Sequence, residues 1–324
     1  MADATPLFLD SRAVARSLPW DELIDALEQA FVAGDATVPR RLHYPLGQAG
    51  DAPAMLLLMP AWSERLGIGT KVLSIHPSNA QRGLPSIHAL YVLMDAATGR
   101  PLAVLDGGEL TARRTAAASA LASRCLSRAD SRCLLMVGTG RLSHHLPLAH
   151  ARARPIDRVL VWGRSLQKAE ATAHALRTEG LEASAAASLP EAVAQADIVS
   201  CATLSAEPLV RGDWLRPGTH VDLVGAYTPS MRESDERVFA RASSVWCDTL
   251  DGAPREGGDI VQAVASGAFS ADDIAGDLAA LCRRGAAARG AETDITVFKS
   301  VGMALEDLAA ASLAVMRFNA ATNP

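Results

Sequence analysis

No stretch of this sequence approaches the ~20 apolar residues that a membrane helix needs. The longest run, residues 54–62, is interrupted by Pro60, and no membrane partner is expected. The opening MADATPLFLD lacks a basic start followed by an apolar core, so no signal peptide is expected. Cysteine is sparse as well: Cys125, Cys133, Cys201, Cys247 and Cys282 are odd in number and share no Cys-x-x-Cys spacing. They read as reduced core thiols, with neither a disulfide framework nor a metal site. Positive charge is in deficit, with 31 Lys and Arg against 36 Asp and Glu and a net charge of −5. No global field is left to hold a polyphosphate backbone, which excludes nucleic acid as a partner. What remains is 324 residues that are 49% hydrophobic and 21% charged, enough chain for a real core and two domains.

Residues 54–106 carry strand-like runs (MLLLMP, GTKVLSIHP, SIHALYVLMD, PLAVLD), with Thr98-Gly99 as a hairpin turn between the last two. The period changes at Thr111, a capping-type residue ahead of an alanine-rich stretch, which predicts a helix over 112–127. From Arg132 onward, short β-branched runs (CLLMVG, RVLVWG, EASAAA, DIVSCA, THVDLVG, SVWCD) alternate with helical stretches, the signature of a parallel sheet wound with helices on both faces. A polar, acidic stretch, REGGDIVQ, follows. TVFKS then leads into an apolar-faced helix, VGMALEDLAAASLAVMRF, that can return to the first domain. The expected fold class is therefore α/β. Residues 1–112 with 303–324 form a smaller α+β domain, and 113–302 a doubly wound parallel domain entered through the 112–127 helix.

The segment MVGTGRLS ends a buried strand at Gly138 and opens a helix after Gly140. In such a Gly-x-Gly-x-x-Ser turn the first glycine permits the bend, the second lets backbone N–H groups approach a pyrophosphate, and small Ser143 lets helix pack on strand. The third glycine is missing, so the turn alone is a weak signal, strengthened by the strands on either side. An acid at the end of the second strand would bind the ribose hydroxyls of NAD. Here Gly163 stands in that place, followed by Arg164, Ser165 as a helix cap, and Lys168. Two cations without a carboxylate suit a 2′-phosphate, which favours NADP(H) with NAD(H) as the alternative. A solvated basic loop has the same composition.

Arg113 and Arg114, expected in a first helical turn where the dipole is already positive, call for an anion. Lys71 shares a strand face with Leu73 and Ile75, where a lysine is rarely unpaired, unless it guards a sheet edge. Arg40 and Arg41 add charge without a pattern. His88, between Ile87 and Ala89, is a candidate proton donor or a structural histidine. His144, His145 and His150, without accompanying acids or cysteines, read as surface residues.

Taken in order along residues 67–310, the segments GTKVLSIHPSN, GLPSIHALYVLMDAATGRPLAVLDGGELTARRTAAASA, MVGTGRLSHH, DIVSCATLSAEPLV, RPGTHVDLVGAYTPSMRESD and DITVFKSVGMALEDLAAA resemble the ornithine cyclodeaminase and mu-crystallin family. The resemblance implies a Rossmann-type domain and a substrate domain that pairs two subunits as a homodimer. It implies that Lys71, Arg114 and Arg41 bind the α-carboxylate of a small cyclic imino acid or amino acid. Cofactor contacts are implied for Gly138, Thr139, Gly140, Arg141 and Leu142, for Arg164 and Ser165, and for Thr203, Gly225, Ala226 and Ser300.

One departure stands out. Cyclodeaminases of the family carry an aspartate in a GGDxPGK segment, whereas this chain reads GAYTPSM, with Tyr227 in the aspartate's place and Met231 in the lysine's. Tyrosine supplies no carboxylate at neutral pH. The resemblance therefore implies an NADPH-dependent reductase of cyclic imino acids, Δ1-pyrroline-2-carboxylate or Δ1-piperideine-2-carboxylate, giving proline or pipecolate by hydride transfer. Lys71, Arg114 and His88 are then the candidate catalytic residues. The alternatives are an ornithine cyclodeaminase, an amino-acid dehydrogenase on the same scaffold, and a non-catalytic NADPH-dependent binder of the mu-crystallin kind.

Overall fold

The computed structural model describes residues 5–47 and 54–322. By internal contacts the chain divides into two compact units, Met1–Thr115 with Met303–Pro324, and Ala116–Gly302.

In the first unit, β1 (Leu7–Leu9), α1 (Ser11–Ser17) and α2 (Trp20–Ala33) precede β2 (Leu42–Leu46), β3 (Ala54–Ser63), β4 (Gly67–Ile75), β5 (Ile87–Met94) and β6 (Pro101–Asp106). They form a mixed sheet of order β1-β6-β5-β4-β3-β2, antiparallel except for the parallel β1–β6 edge. Period-two alternation sends Leu57, Met59, Ala61, Leu73, Leu93, Ala103 and Leu105 into a buried layer. The expected strands are all present, and Gly99 turns the last hairpin with φ +70°.

The helix expected from residue 112 starts five residues earlier. It is α3 (Gly107–Leu126), capped by Asp106, whose Oδ1 accepts the Glu109 N–H at 2.7 Å. A Cβ on Gly107 would fall 2.7 Å from the Ala89 carbonyl carbon, so a glycine is what lets the helix begin against the sheet. Thr111 is therefore interior, and Arg113 and Arg114 sit in the second turn, beyond the reach of the dipole argument.

The second unit runs β7 (Cys133–Val137), α4 (Leu142–Ala153), β8 (Arg158–Trp162), α5 (Leu166–Thr178), β9 (Ala183–Ala185), α6 (Leu189–Gln195), β10 (Ile198–Cys201), β11 (His220–Leu223), α7 (Glu236–Arg241), β12 (Ser244–Cys247), α8 (Ala253–Glu256), α9 (Gly258–Ala265), β13 (Ile274–Asp277), α10 (Leu278–Arg284) and β14 (Thr296–Lys299). Its eight strands are all parallel, in the order β13-β12-β14-β11-β10-β7-β8-β9. The order reverses beside β7, the switch point where open α/β sheets hold ligands at their carboxyl ends. The core is largely aliphatic, with Leu135, Val137, Val199, Val221, Leu223 and Val297 among its buried members. The polar stretch REGGDIVQ runs from the end of α8 into α9, with Gly257, Gly258, Asp259 and Ile260 buried. The chain ends in α11 (Ala304–Thr322), which packs on α2, β3 and β4 of the first unit.

All five cysteines are buried, and none is paired in a disulfide. Among the described residues no helix is long and apolar enough to cross a membrane. His150, expected at the surface, is fully buried: helical spacing puts it with Ser143, Leu146 and Pro147 on the inner side of α4. There its Nε2 lies 3.4 Å from Asp222 Oδ2.

Candidate active site

Lysine and arginine are costly to bury, so where both are enclosed their counter-charges define the site. In the first unit, the β4 alternation that buries Gly69 and Leu73 also turns Lys71 inward, where it is 2% exposed. From α11, Asp307 meets Lys71 Nζ at 2.8 Å through Oδ2 and at 3.0 Å through Oδ1. Asp307 Oδ1 also accepts a bond from Arg114 Nε at 2.9 Å, and Glu306 accepts one from the same guanidinium. Glu306 and Asp307 lie in the first turn of α11, where the dipole favours acids. Two cations and two carboxylates thus meet in a buried cluster. Burial brings Lys71 from 10.5 down to about 8, a fall that Asp307 opposes and Arg114 reinforces.

Tyr91 pairs with Lys71 across β4 and β5. Its buried hydroxyl has no hydrogen-bond partner among the described residues, and burial and then the Asp307 charge push its pKa well up. A Cβ on Gly69 would fall 2.0 Å from that hydroxyl. This gives the glycine two residues before the lysine a physical reason.

Arg113 is engaged elsewhere: Nε meets Glu109 at 2.9 Å, a second nitrogen donates to the Leu18 carbonyl at 2.9 Å, and the guanidinium stacks 4.8 Å from the Trp20 ring centroid. Arg41 precedes β2, whose pairing of Leu42 with Leu58 sets it level with Met59, itself the partner of Lys71. Two strand spacings, about 10 Å, separate the backbone positions of Arg41 and Lys71. His88 pairs with Ser74 and is exposed on the opposite sheet face from Lys71 and Tyr91. Within this unit the sheet separates it from the cation cluster it was grouped with.

In the second unit the glycine turn follows β7. Gly138 has φ +124°, and a Cβ there would lie 2.6 Å from the Ala202 carbonyl oxygen. Its N–H donates to Trp162 O at 2.8 Å. At Gly140, by contrast, a Cβ would meet nothing within 4 Å, and α4 begins at Leu142 with no side-chain cap from Arg141. An open backbone cradle at a helix N-terminus suits a pyrophosphate. Ser143 is buried, its Oγ donating to Gly140 O at 2.6 Å.

Gly163 follows β8, and the Thr139 methyl would lie 2.6 Å from a Cβ placed there. The position that would carry an NAD-type acid is thus covered by the glycine turn itself. Arg164 and Lys168 are exposed beside it, and Ser165 Oγ accepts the Lys168 N–H at 3.3 Å to cap α5.

After β10 and β11 come Thr203, Gly225 and Ala226, and Ser300 follows β14, its N–H donating to Leu223 O at 3.0 Å. A Cβ on Gly225 would lie 2.0 Å from Thr203 O. Tyr227 is half-buried, and burial raises its phenol pKa, so it stays neutral where the cyclodeaminases carry an acid. Sequence reasoning missed the acids Glu306 and Asp307. The signal was there: two adjacent carboxylates at the head of a helix that is otherwise apolar and buried.

The profile of the ornithine cyclodeaminase/mu-crystallin family matches residues 5–321. The Δ1-pyrroline-2-carboxylate reductase of Paracoccus denitrificans is 39% identical over 312 residues, 95% of this chain and 96% of that one. Among solved structures, Thermococcus litoralis Δ1-pyrroline-2-carboxylate reductase in complex with NADH and L-proline matches with a TM-score of 0.89 and 32% identity, over 96% of this chain and 97% of that one. An archaeal alanine dehydrogenase dimer with bound NAD matches with a TM-score of 0.88 and 28% identity, over 98% and 97% of the two chains. A profile match over nearly the whole length, joined to that identity, has one consequence: the chain belongs to the ornithine cyclodeaminase/mu-crystallin family.

Proposed function

We propose that this protein is an NADPH-preferring reductase of cyclic imino acids, converting Δ1-pyrroline-2-carboxylate and Δ1-piperideine-2-carboxylate to L-proline and L-pipecolate. The observation that carries the reading is the buried, charge-balanced cluster of Lys71 and Arg114 with Glu306 and Asp307. The two acids hold the two cations in place, so that a substrate carboxylate meets positive groups that are already oriented. The Paracoccus and Thermococcus relatives, which bear the name of that reductase, support the same substrate class.

The glycine turn with Thr139, Arg141 and Leu142, and the turns at Thr203, Gly225, Ala226 and Ser300, hold the dinucleotide. When bound, the nicotinamide supplies a hydride to the imine carbon. Arg114, fixed by Glu306 and Asp307, binds the substrate carboxylate, Arg41 adds a second cation, and the contribution is positional. Lys71, held protonated at neutral pH by Asp307 and tuned to about 8 by burial, donates the proton that makes the imine an iminium. Tyr227 argues against the cyclodeaminase alternative, since a neutral phenol offers no carboxylate.

Arg164 and Lys168 bind the 2′-phosphate of NADPH, with NADH as the weaker partner. The uncovered apolar face of the first sheet, with Phe8, Leu42, Tyr44, Val72 and Leu90 exposed, docks against a second copy of the chain. A cytoplasmic location agrees with five reduced thiols.

Incubation of purified protein with NADPH or NADH and each cyclic ketimine is expected to oxidise the cofactor in an imine-dependent way; ammonia release from ornithine with catalytic NAD would sink the reading. The pH profile adds a second check. Imine reduction should hold below pH 8 and decline above it as Lys71 loses its proton, while amine oxidation rises across the same range. Rates that stay flat through that range would remove Lys71 as the acid. Arg164→Asp should weaken NADPH about tenfold or more relative to NADH, as read from the ratio of the two KM values, and an unchanged ratio would refute the phosphate assignment.

A further inference from the structure

Glu233 lies outside the residues assigned above, yet it organises three of them. One oxygen, Oε1, accepts the Thr203 N–H at 2.6 Å and the Thr203 hydroxyl at 2.9 Å. The other, Oε2, accepts the Gly225 N–H at 2.6 Å and the Ala226 N–H at 3.3 Å. Three of the four partners are N–H groups that can only donate, and the Thr203 hydroxyl donates as well, so the carboxylate form accepts all four bonds at once. It is fully buried and anchored in turn: Asp259 Oδ1 accepts the Glu233 N–H at 2.8 Å, and Asp259 Oδ2 pairs with buried Lys299 at 3.1 Å.

We propose that Glu233 is a positioning residue for the dinucleotide: its ionised carboxylate ties the turn after β10 to the turn after β11, and cofactor affinity follows that ionisation. This deepens the reductase reading and rests on it. Protonation would remove the charge that strengthens all four bonds, and would either set an O–H on Oε2 against two N–H groups or force the Thr203 hydroxyl to turn from donor to acceptor, loosening the turns that contact the cofactor. The groups facing Glu233 are Lys299 from β14, Asp259 from α9 and the thiol of Cys201 at the end of β10. Burial raises the Glu233 pKa to about 7; the Lys299 charge opposes the rise, and Asp259 adds to it. The tie is thus released within the neutral range.

The test is binding of NADPH and of NADH to the intact protein by fluorescence titration between pH 6 and 8, without imine. Wild-type protein should bind about tenfold more weakly at the acid end. Glu233→Gln, which turns an amide donor toward existing donors, should bind weakly at both ends with the pH slope abolished. Asp259→Asn removes a neighbouring negative charge and should move the midpoint to lower pH, a shift that a merely structural role would not produce. A Glu233→Gln protein that keeps the wild-type slope, or an Asp259→Asn protein with an unmoved midpoint, overturns the proposal. Wild-type protein that binds neither dinucleotide would instead overturn the reductase reading itself.

Discussion

Arg114→Ala is expected to lower kcat/KM for Δ1-pyrroline-2-carboxylate by about 10³-fold while leaving dinucleotide affinity in place. A guanidinium that binds a carboxylate through two charge-assisted bonds contributes roughly 1.5–3 kcal/mol per bond, and both are lost together. Steady-state kinetics with the imine varied, beside a direct NADPH titration, reads the two quantities separately. Arg114→Lys keeps the charge but loses the planar fork, and should recover part of the loss. Near-normal turnover in the alanine variant would remove the carboxylate site from this helix. Because Arg114 lies in the second turn of α3, facing Glu306 and Asp307, the alanine variant also strands two acids, so its folding must be checked in the same preparation.

The second large effect falls on stability. Asp307→Ala removes the carboxylate shared by Lys71 and Arg114, and taking one partner from a buried ion pair costs about 3–5 kcal/mol. Chemical denaturation should report that loss, and an unfolding free energy unchanged within 1 kcal/mol would mean that the cluster is bridged some other way. The pH dependence follows from the Lys71 shift. The folded-state pKa, about 8, lies below the ordinary 10.5, so between those values the unfolded chain binds more protons and wild-type stability climbs with pH. Without Asp307 the amine titrates lower still. The variant's climb therefore begins earlier, and the wild-type advantage narrows as the pH approaches 8 and levels off beyond it.

Much of this was legible in the residues. Alternation exposed the strands of the first sheet, and short β-branched runs between helices exposed the parallel one, because both signals are local. The start of α3 was misplaced because Thr111 looked like a cap, while the real one, Asp106 with Glu109 three residues on, hid behind two glycines that read as a loop. The first of them, Gly107, is there for the approach of the helix to Ala89, a contact with the neighbouring strand that the local pattern does not reveal. The cations of the site were visible as misfits in apolar surroundings. Their counter-ions were not, because Glu306 lies 192 positions from Arg114 and Asp307 lies 236 from Lys71. Glu233 escaped for a similar reason: an acid in a polar loop is ordinary until the fold wraps four donors around it.

The methyl of Thr139 over Gly163 has an implication for how this lineage can change. A carboxylate at 163 would stand where dinucleotide-binding turns place the acid that binds a plain ribose, yet the side chain has nowhere to go until Thr139 rotates away or is replaced by something smaller. A side chain at 163 is therefore coupled to the one at 139, and its effect is read together with where the Thr139 methyl moves within the glycine turn.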